Sequence, residues 1–178
     1  MDFAGLGLGL QYGSVALVPA DERWGEVAGV LGAQIETALA GVARGVQHVG
    51  STSVPGLLAK PIVDLAVGLS PPTTLEEVEA PLSRLGWIYR GDAGDEGGWV
   101  FVMEDSPWHR VAHAHGVEFR GEQWNRYLQF RALLRRDEVA RQTYERVKVR
   151  LAEQFPDGRN DYLLGKDPTV RRLLASDA

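Results

Sequence analysis

Trp24, Val27, Ala28, Leu31, Ile35, Ala38 and Leu39 recur at three- and four-residue intervals, which predicts an amphipathic helix over residues 22–40 with Asp21 as its cap. Gly45 is expected to end it, and residues 46–49 read as a short strand. Residues 61–69 alternate cleanly: Ile62, Asp64 and Ala66 point one way, Val63, Leu65, Val67 and Leu69 the other. Both sets are largely apolar, as in a central strand covered by helices on two faces. After the Ser70-Pro71-Pro72 turn, Thr73 or Thr74 caps a helix that carries Leu75, Val78, Leu82 and Leu85. Residues 87–90, 99–103 and 111–118 are further strands, with an acidic, glycine-rich loop at 91–98. Residues 15–19 read as an edge strand. Residues 1–13 lack a period and read as a flexible leader; their glycines do not satisfy G-x-G-x-x-G.

Past residue 120 the period is helical throughout. Trp124, Tyr127, Leu128, Arg131 and Leu134 share one face; Asp137 caps a second helix bearing Val139, Tyr144, Val147, Leu151 and Phe155. A last helix is expected over 161–175, in one piece or in two at Pro168. The order predicts one mixed α/β domain over residues 14–175, with a sheet core at 14–119 and a helical part at 120–175 that closes onto it.

Composition narrows the chemistry. The 178 residues include no Cys, which excludes disulfides, thiolate metal sites and a cysteine nucleophile. No run of eighteen apolar residues and no basic-then-apolar N-terminal stretch is present, so a cytoplasmic protein without a membrane span is expected. The net charge of −5 is uneven: residues 1–108 hold 5 Lys/Arg against 14 Asp/Glu, and residues 109–178 hold 14 against 10. A basic C-terminal part suits an anionic ligand, or is a set of solvated helix faces. The arginines of residues 131–150 lack interleaved aromatics, so nucleic acid is not favoured. Oligomeric state is not specified by the sequence.

The densest chemistry lies in residues 47–69, QHVGSTSVPGLLAKPIVDLAVGL. A strand ends at Gly50, followed by the small hydroxylated residues Ser51, Thr52 and Ser53, then a strand holding Asp64. Such a turn offers hydroxyls and N–H groups to phosphate, and a strand carboxylate beside it can hold a divalent cation. A capped helix with a satisfied buried Asp is the structural alternative.

This segment resembles the GrpB family signature, similar to E-H-[IV]-G-S-T-[SA]-V-P-G-L-x-x-K-P-I-[IV]-D-[IL], and His48 to Leu65 match it almost without break. Leu17-Val18-Pro19, His113-Ala114-His115, Trp124 to Arg131, Lys148, Phe155-Pro156 and Lys166 extend the resemblance over residues 15–175. It implies the polymerase-β-like nucleotidyltransferase fold: a mixed sheet with flanking helices and a C-terminal helical subdomain. The implied activity is transfer of a nucleotidyl or other phosphoryl-derived group from a nucleotide to a small acceptor. The superfamily pattern places a second carboxylate two residues after the first, and here that position is Ala66. A lone Asp64 implies weak binding of Mg²⁺ or Mn²⁺. Ala66→Asp is expected to restore the pair, since residues 64 and 66 face one side of the strand. Some dephospho-CoA kinases carry a similar extension. The alternatives are a degenerate transferase that only binds a nucleotide or coenzyme-A-like ligand, and a different reaction on the same scaffold.

Other residues stand ready to compensate. His113 and His115, at i and i+2 on a strand, face one way and form a zinc or manganese half-site that Asp64 completes, a ligand-facing pair, or two structural imidazoles. Lys60 enters the Asp64 strand within reach of Asp64 or a phosphate. His48 is placed to act as a base near neutral pH or to pack under the loop. Arg131, alone on the apolar face of its helix, needs an anionic partner, protein or ligand. Lys166 stands similarly, although Gly165-Lys166-Asp167 is no P-loop. Glu104 and Asp105, beside a proline turn, are remote candidates for a further carboxylate.

Overall fold

The structure, a computed structural model, describes residues 2–92 and 98–177. The middle of the acidic loop expected at 91–98 lies outside the described residues. Among these, six strands form one mixed sheet: β1 (Leu10–Gln11), β2 (Ala43–Val49), β3 (Val63–Leu69), β4 (Trp87–Asp92), β5 (Trp99–Ser106) and β6 (His109–Glu118). Five α-helices accompany it: α1 (Arg23–Ala38), α2 (Leu75–Arg84), α3 (Glu122–Arg136), α4 (Glu138–Gln154) and α5 (Arg159–Ala175). The strand order is β2-β3-β6-β5-β4, with β1 paired to the start of β6. β3 and β6 run parallel and the other pairs antiparallel.

The alternation of β3 decides the layers. Val63, Leu65, Val67 and Leu69 pack against Trp24, Leu31 and Ile35 of α1 and Val78 and Leu82 of α2. On the other face Ala66, Val49 and Val117 lie beneath Trp124 of α3. Gly68 makes this second layer feasible: a Cβ there would stand 2.6 Å from the Phe119 ring and 2.9 Å from Trp124. Leu133 and Leu134 of α3 then meet Ala140 and Tyr144 of α4 over Val54 and Leu57. Tyr162 anchors α5 on Val15 and Leu151. Two caps match the expected starts: Thr74 and Glu77 form a reciprocal capping box on α2, and Asp137 accepts the Ala140 N–H at 3.0 Å on α4. Asp21, expected to cap α1, lies one residue before its Glu22 N-cap and accepts the Arg23 N–H at 2.9 Å.

Three details differ from the sequence reading. Residues 4–11, read as a leader, lie on the core: Leu8 is 3% exposed, the Trp24 indole donates to the Leu6 carbonyl at 2.9 Å, and β1 extends the sheet. The apolar side chains in that glycine-rich run are what bind it. Residues 15–19 make only a single bridge, Val18 to Ala59. The turn after α1 falls at Gly41, so Gly45 lies inside a longer β2, at a register shift opposite β3. Of the two forms left open for the last helix, α5 takes the single one and continues through Pro168. Pro168 and the residue four before it, Leu164 (72% exposed), both face solvent, so the carbonyl left unpaired by proline is on the wet side.

Candidate functional site

Parallel pairing of β3 with β6 sets Asp64 beside His113 and Ala66 beside His115. Residues of one parity share a face, so one carboxylate and two imidazoles converge. The His113 Nδ1–H donates to Asp64 Oδ1 at 3.1 Å, and His115 Nε2 lies 3.5 Å from the same oxygen. On the other side of β3, β2 ends with Val49 opposite Asp64. The chain then turns at Gly50 with φ +68, directly over the carboxylate: a Cβ there would sit 2.5 Å from Asp64 Oδ2. Both the left-handed backbone and the close approach require glycine. The 3₁₀ turn at Ser51–Ser53 follows, closed by Ser53 Oγ donating to the Gly50 carbonyl at 2.6 Å.

Above this floor the helical part leaves a cleft of about 450 Å³. Asp64, His113 and His115 form its base, Gly50, Ser51 and Thr52 one wall, and Lys60, Arg159, Tyr162 and Lys166 much of the rest. Tyr127 and Tyr144 reach in from α3 and α4. The chain has three lysines, Lys60, Lys148 and Lys166, and all three gather here. Lys60 and Lys166 stand on the Tyr162 ring, 5.4 and 4.7 Å from its centroid. The Lys148 Nζ lies 3.0 Å from Ser51 Oγ, behind the wall.

Burial first, then the neighbouring Lys166 charge, pushes Lys60 down to about 7, and the same two causes bring Lys148 to about 7. Burial raises the Asp64 pKa, but the hydrogen bonds and charges of His113 and His115 outweigh it and hold the carboxyl well below its usual range. Burial lowers His113 against the opposing pull of Asp64. The base is therefore a carboxylate held by a mainly neutral His113 at neutral pH.

These shifts fix how stability varies with pH. A lysine with a folded pKa near 7 and an unfolded value of 10.5 binds fewer protons in the folded state between those limits. Stability of the ligand-free chain therefore rises with pH across that window. The denaturant midpoint at pH 9 should exceed that at pH 7. Lys60→Met should flatten the rise, and an unchanged slope in that variant would contradict the burial of its amine. His48, pushed down to about 4 by burial, gives a second loss of stability as pH falls from 6.5 toward 4.

The cleft thus brings together Gly50, Ser51, Thr52, Lys60, Asp64, His113, His115 and Lys166 among the residues singled out in the sequence. His48, Ser53 and Arg131 are placed elsewhere. His48 Nε2 meets Thr52 Oγ1 at 2.9 Å, and its low pKa removes it as a base poised near neutrality. Ser53 is spent on closing its own turn. Arg131 donates to the His48 carbonyl at 2.6 Å and to Gln47 Oε1 at 3.1 Å, tying α3 to β2. The anionic partner expected for it is instead a main-chain carbonyl. Arg131→Met should accordingly destabilise the fold by about 1.5–3 kcal/mol, the size of a hydrogen bond to a charged group, and leave ligand affinity in the cleft within a factor of a few. Denaturation and calorimetric titration of one preparation check both. Glu104 bonds Arg90 at 3.0 Å and the Trp108 N–H, and Asp105 bonds His109 at 2.6 Å, away from the cleft.

The sequence pattern gives no site signal for Tyr144, Arg159 and Tyr162, all in the cleft lining, and it marks Lys148 only within the resemblance. Arg135 was grouped with a basic helix; it donates twice to the Ser53 carbonyl, at 2.9 and 2.6 Å. Lys148 carried a usable signal, since it shares the apolar face of α4 with Tyr144 and Leu151, where a charged group needs a partner.

The donor set fits a divalent cation. Ligand atoms of Asp64, His113 and His115 lie within 4.8 Å of one another, and Asp64 keeps 29% of its side chain exposed toward the cleft. His113 Nε2 is buried without a hydrogen-bond partner among the described residues. Two imidazoles with one carboxylate favour Mn²⁺, Fe²⁺ or Zn²⁺ over Mg²⁺. Among the described residues no helix is long and apolar enough to cross a membrane.

Comparison with known proteins gives a consistent picture. The family model described as GrpB protein matches residues 14–176. A UPF0157 protein of Pseudomonas aeruginosa is 35% identical over 90% of this chain, which spans 66% of that relative's length. A dephospho-CoA kinase of Mycolicibacterium paratuberculosis is 30% identical over 88% of this chain, which spans 44% of that enzyme. The crystal structure of the conserved protein GrpB from Enterococcus faecalis superposes with a TM-score of 0.79 at 28% identity, covering 90% of this chain and 96% of that one.

Proposed function

The chain belongs to the GrpB family, and we propose that its cleft binds the phosphate groups of a nucleotide beside a divalent cation and transfers a phosphoryl-derived group to a small acceptor, in the manner of a nucleotidyltransferase. One observation carries the reading: Lys60 and Lys166 line a cleft whose base is an Asp-His-His donor set, and the third lysine of the chain, Lys148, lies directly behind its Ser51 wall. Buried amines facing one another repel, and a polyanion relieves that repulsion. The relative that bears the name dephospho-CoA kinase supports a nucleotide or coenzyme-A-like ligand.

In this reading Asp64, His113 and His115 hold the cation, which neutralises charge on the phosphate oxygens when bound. Lys166 and Arg159 bind further phosphate oxygens. Arg159 Nε, buried without a partner among the described residues, is a donor in want of an acceptor. Lys60, with a pKa near 7, takes the proton of the incoming acceptor. Tyr144 and Tyr162 exclude water around the reacting groups.

A second reading, binding without transfer, rests on Ala66. The position that would supply a second carboxylate is 0% exposed beneath α3, so two cations cannot be held there. Calorimetric titration with Mn²⁺, then with each nucleoside triphosphate, tests the main reading. We expect weak cation binding alone, tightened at least tenfold by nucleotide, and nucleotide affinity lowered at least tenfold in Lys166→Met. Affinity for nucleotides that is unmeasurable with and without Mn²⁺ overturns it. Binding without release of product from any acceptor favours the second reading.

A further inference from the structure

Ser51 and Lys148 form a contact that phosphate binding does not require. Lys148 is 1% exposed, its Nζ lies 3.0 Å from Ser51 Oγ, and it also donates to the Leu58 carbonyl. The Leu58 N–H is held in turn by Glu145 Oε2 at 2.7 Å. Two side chains one turn apart on α4 therefore fix both polar groups of Leu58, and with them the position of the amine. Ser51 sits on the cleft wall, next to the glycine that covers Asp64. Ser51 thus lines the cleft while its hydroxyl contacts an amine that is sealed behind the wall.

Burial of the amine, 1% exposed, disfavours its charged form. Lys148 donates to the Leu58 carbonyl, and its Nζ stands 5.1 Å from the Tyr144 ring centroid. In its neutral form the amine has a lone pair for the Ser51 O–H, 3.0 Å away. A serine hydroxyl whose proton can pass to a buried, positioned amine is an activated nucleophile.

We propose that Ser51 and Lys148 are a nucleophile–base pair, and that group transfer in this cleft passes through a covalent phosphoserine or nucleotidyl-serine at Ser51. The proposal rests on the nucleotide reading above and adds a chemical step to it. Ser51 Oγ attacks a phosphorus of the nucleoside triphosphate. The Oγ–P bond forms, the bond from phosphorus to its bridging oxygen breaks, and the Ser51 proton moves to Lys148 Nζ. The leaving group departs as the anion: the nucleoside diphosphate when a phosphoryl group is taken, diphosphate when a nucleotidyl group is taken. In the second half the acceptor hydroxyl attacks the same phosphorus, its proton passes to Lys60, and Ser51 recovers its proton from Lys148. The sum is donor plus acceptor alcohol giving transferred ester, leaving anion and one proton. The lowered Lys148 pKa, near 7 through burial and Lys166, places the amine in its basic form for a useful fraction of time at neutral pH.

The experiment uses the full chain with Mn²⁺ and ATP, GTP, CTP or UTP, quenched in acid during a single turnover and read by intact mass and peptide mapping. We expect an adduct of one phosphoryl or one nucleotidyl group on Ser51. It should be absent in Ser51→Ala, and absent in Lys148→Arg, which can still donate to the Leu58 carbonyl but offers no base at neutral pH. A substrate chiral at the attacked thiophosphorus settles cases in which the adduct is short-lived. Retention of configuration marks two displacements and supports the proposal; inversion marks direct transfer and overturns it while leaving the nucleotide reading intact. Nucleotide binding with neither adduct nor turnover also overturns it. Absence of nucleotide binding removes both readings together.

Discussion

Asp64→Asn should abolish the Mn²⁺-dependent rise in melting temperature and lower turnover by about 10²–10³-fold, the loss typical of removing one group that stabilises developing charge. The substitution keeps the shape of the side chain and one oxygen able to accept the His113 Nδ1–H. What disappears is the only negative charge in the Asp-His-His set. Two neutral imidazoles at that spacing still make half a site for a borderline cation, so affinity falls steeply and does not vanish for Zn²⁺. The effect on folding has the opposite origin. Because the Asp64 pKa lies well below its usual value, the carboxylate stabilises the fold above the unfolded pKa, and that contribution is lost as pH falls through the folded value. Asn cannot supply it at any pH, so the metal-free variant should melt below the unmodified protein at neutral pH and converge with it in acid. A Mn²⁺-induced shift that survives in Asp64→Asn would place the cation elsewhere and remove the floor of the proposed site.

Much of this cleft could be found in the chain because its parts obey local rules. The period of α1, the two-sided alternation of β3 and the i, i+2 spacing of His113 and His115 are each set within a few residues. They place Asp64 and the imidazoles on definite faces. Their meeting is another matter: it depends on β3 running parallel beside β6 in a register that sets 64 against 113, and only resemblance to a family carried that. Two residues lie outside the cleft for different reasons. The sequence pattern points Arg131 to an anionic partner, and it binds a main-chain carbonyl of β2; every residue has a carbonyl, so no sequence pattern distinguishes the one that is used. For His48 the pattern leaves a base and a packed residue open, and its burial against the neighbouring turn matches the second. Lys148 is the converse case. It is a buried charge on an apolar helix face, a local anomaly visible in the sequence, but the Ser51 hydroxyl it seeks is 97 residues away. The leader was misjudged because glycine spacing obscured the apolar side chains that dock it.

Ala66→Asp should destabilise the protein by about 3–5 kcal/mol, the scale of an unpaired buried charge, without tightening Mn²⁺ binding. The sequence argument for the opposite result was sound as far as strand geometry goes: residues 64 and 66 do share a face of β3. They do not share surroundings. Asp64 lies at the end of the sheet where Gly50 turns away and the cleft opens. Ala66, one pleat further in, is 0% exposed among Val49, Val117 and Trp124. A carboxylate there loses its water and faces an indole, and its polar partners on the neighbouring strands are engaged: His115 of β6 is directed to Asp64, and Gln47 of β2 accepts from Arg131. The added group would therefore raise its own pKa or push α3 off the sheet. Ala66→Asn separates charge from size, since it adds nearly the same volume with no charge. We expect it to cost about 1–3 kcal/mol from overpacking, with the remainder of the Asp penalty diminishing at low pH as the carboxyl takes up a proton. Denaturant midpoints of the two variants at pH 7 and pH 4.5, with and without Mn²⁺, measure this directly. Tighter Mn²⁺ binding by Ala66→Asp would mean that α3 lifts to extend the cleft along β3, and the single-cation arrangement would give way to a two-cation one. The packing of Trp124 over Gly68 and Ala66 closes β3 beyond Asp64, which leaves the proposed chemistry one cation and the surrounding lysines.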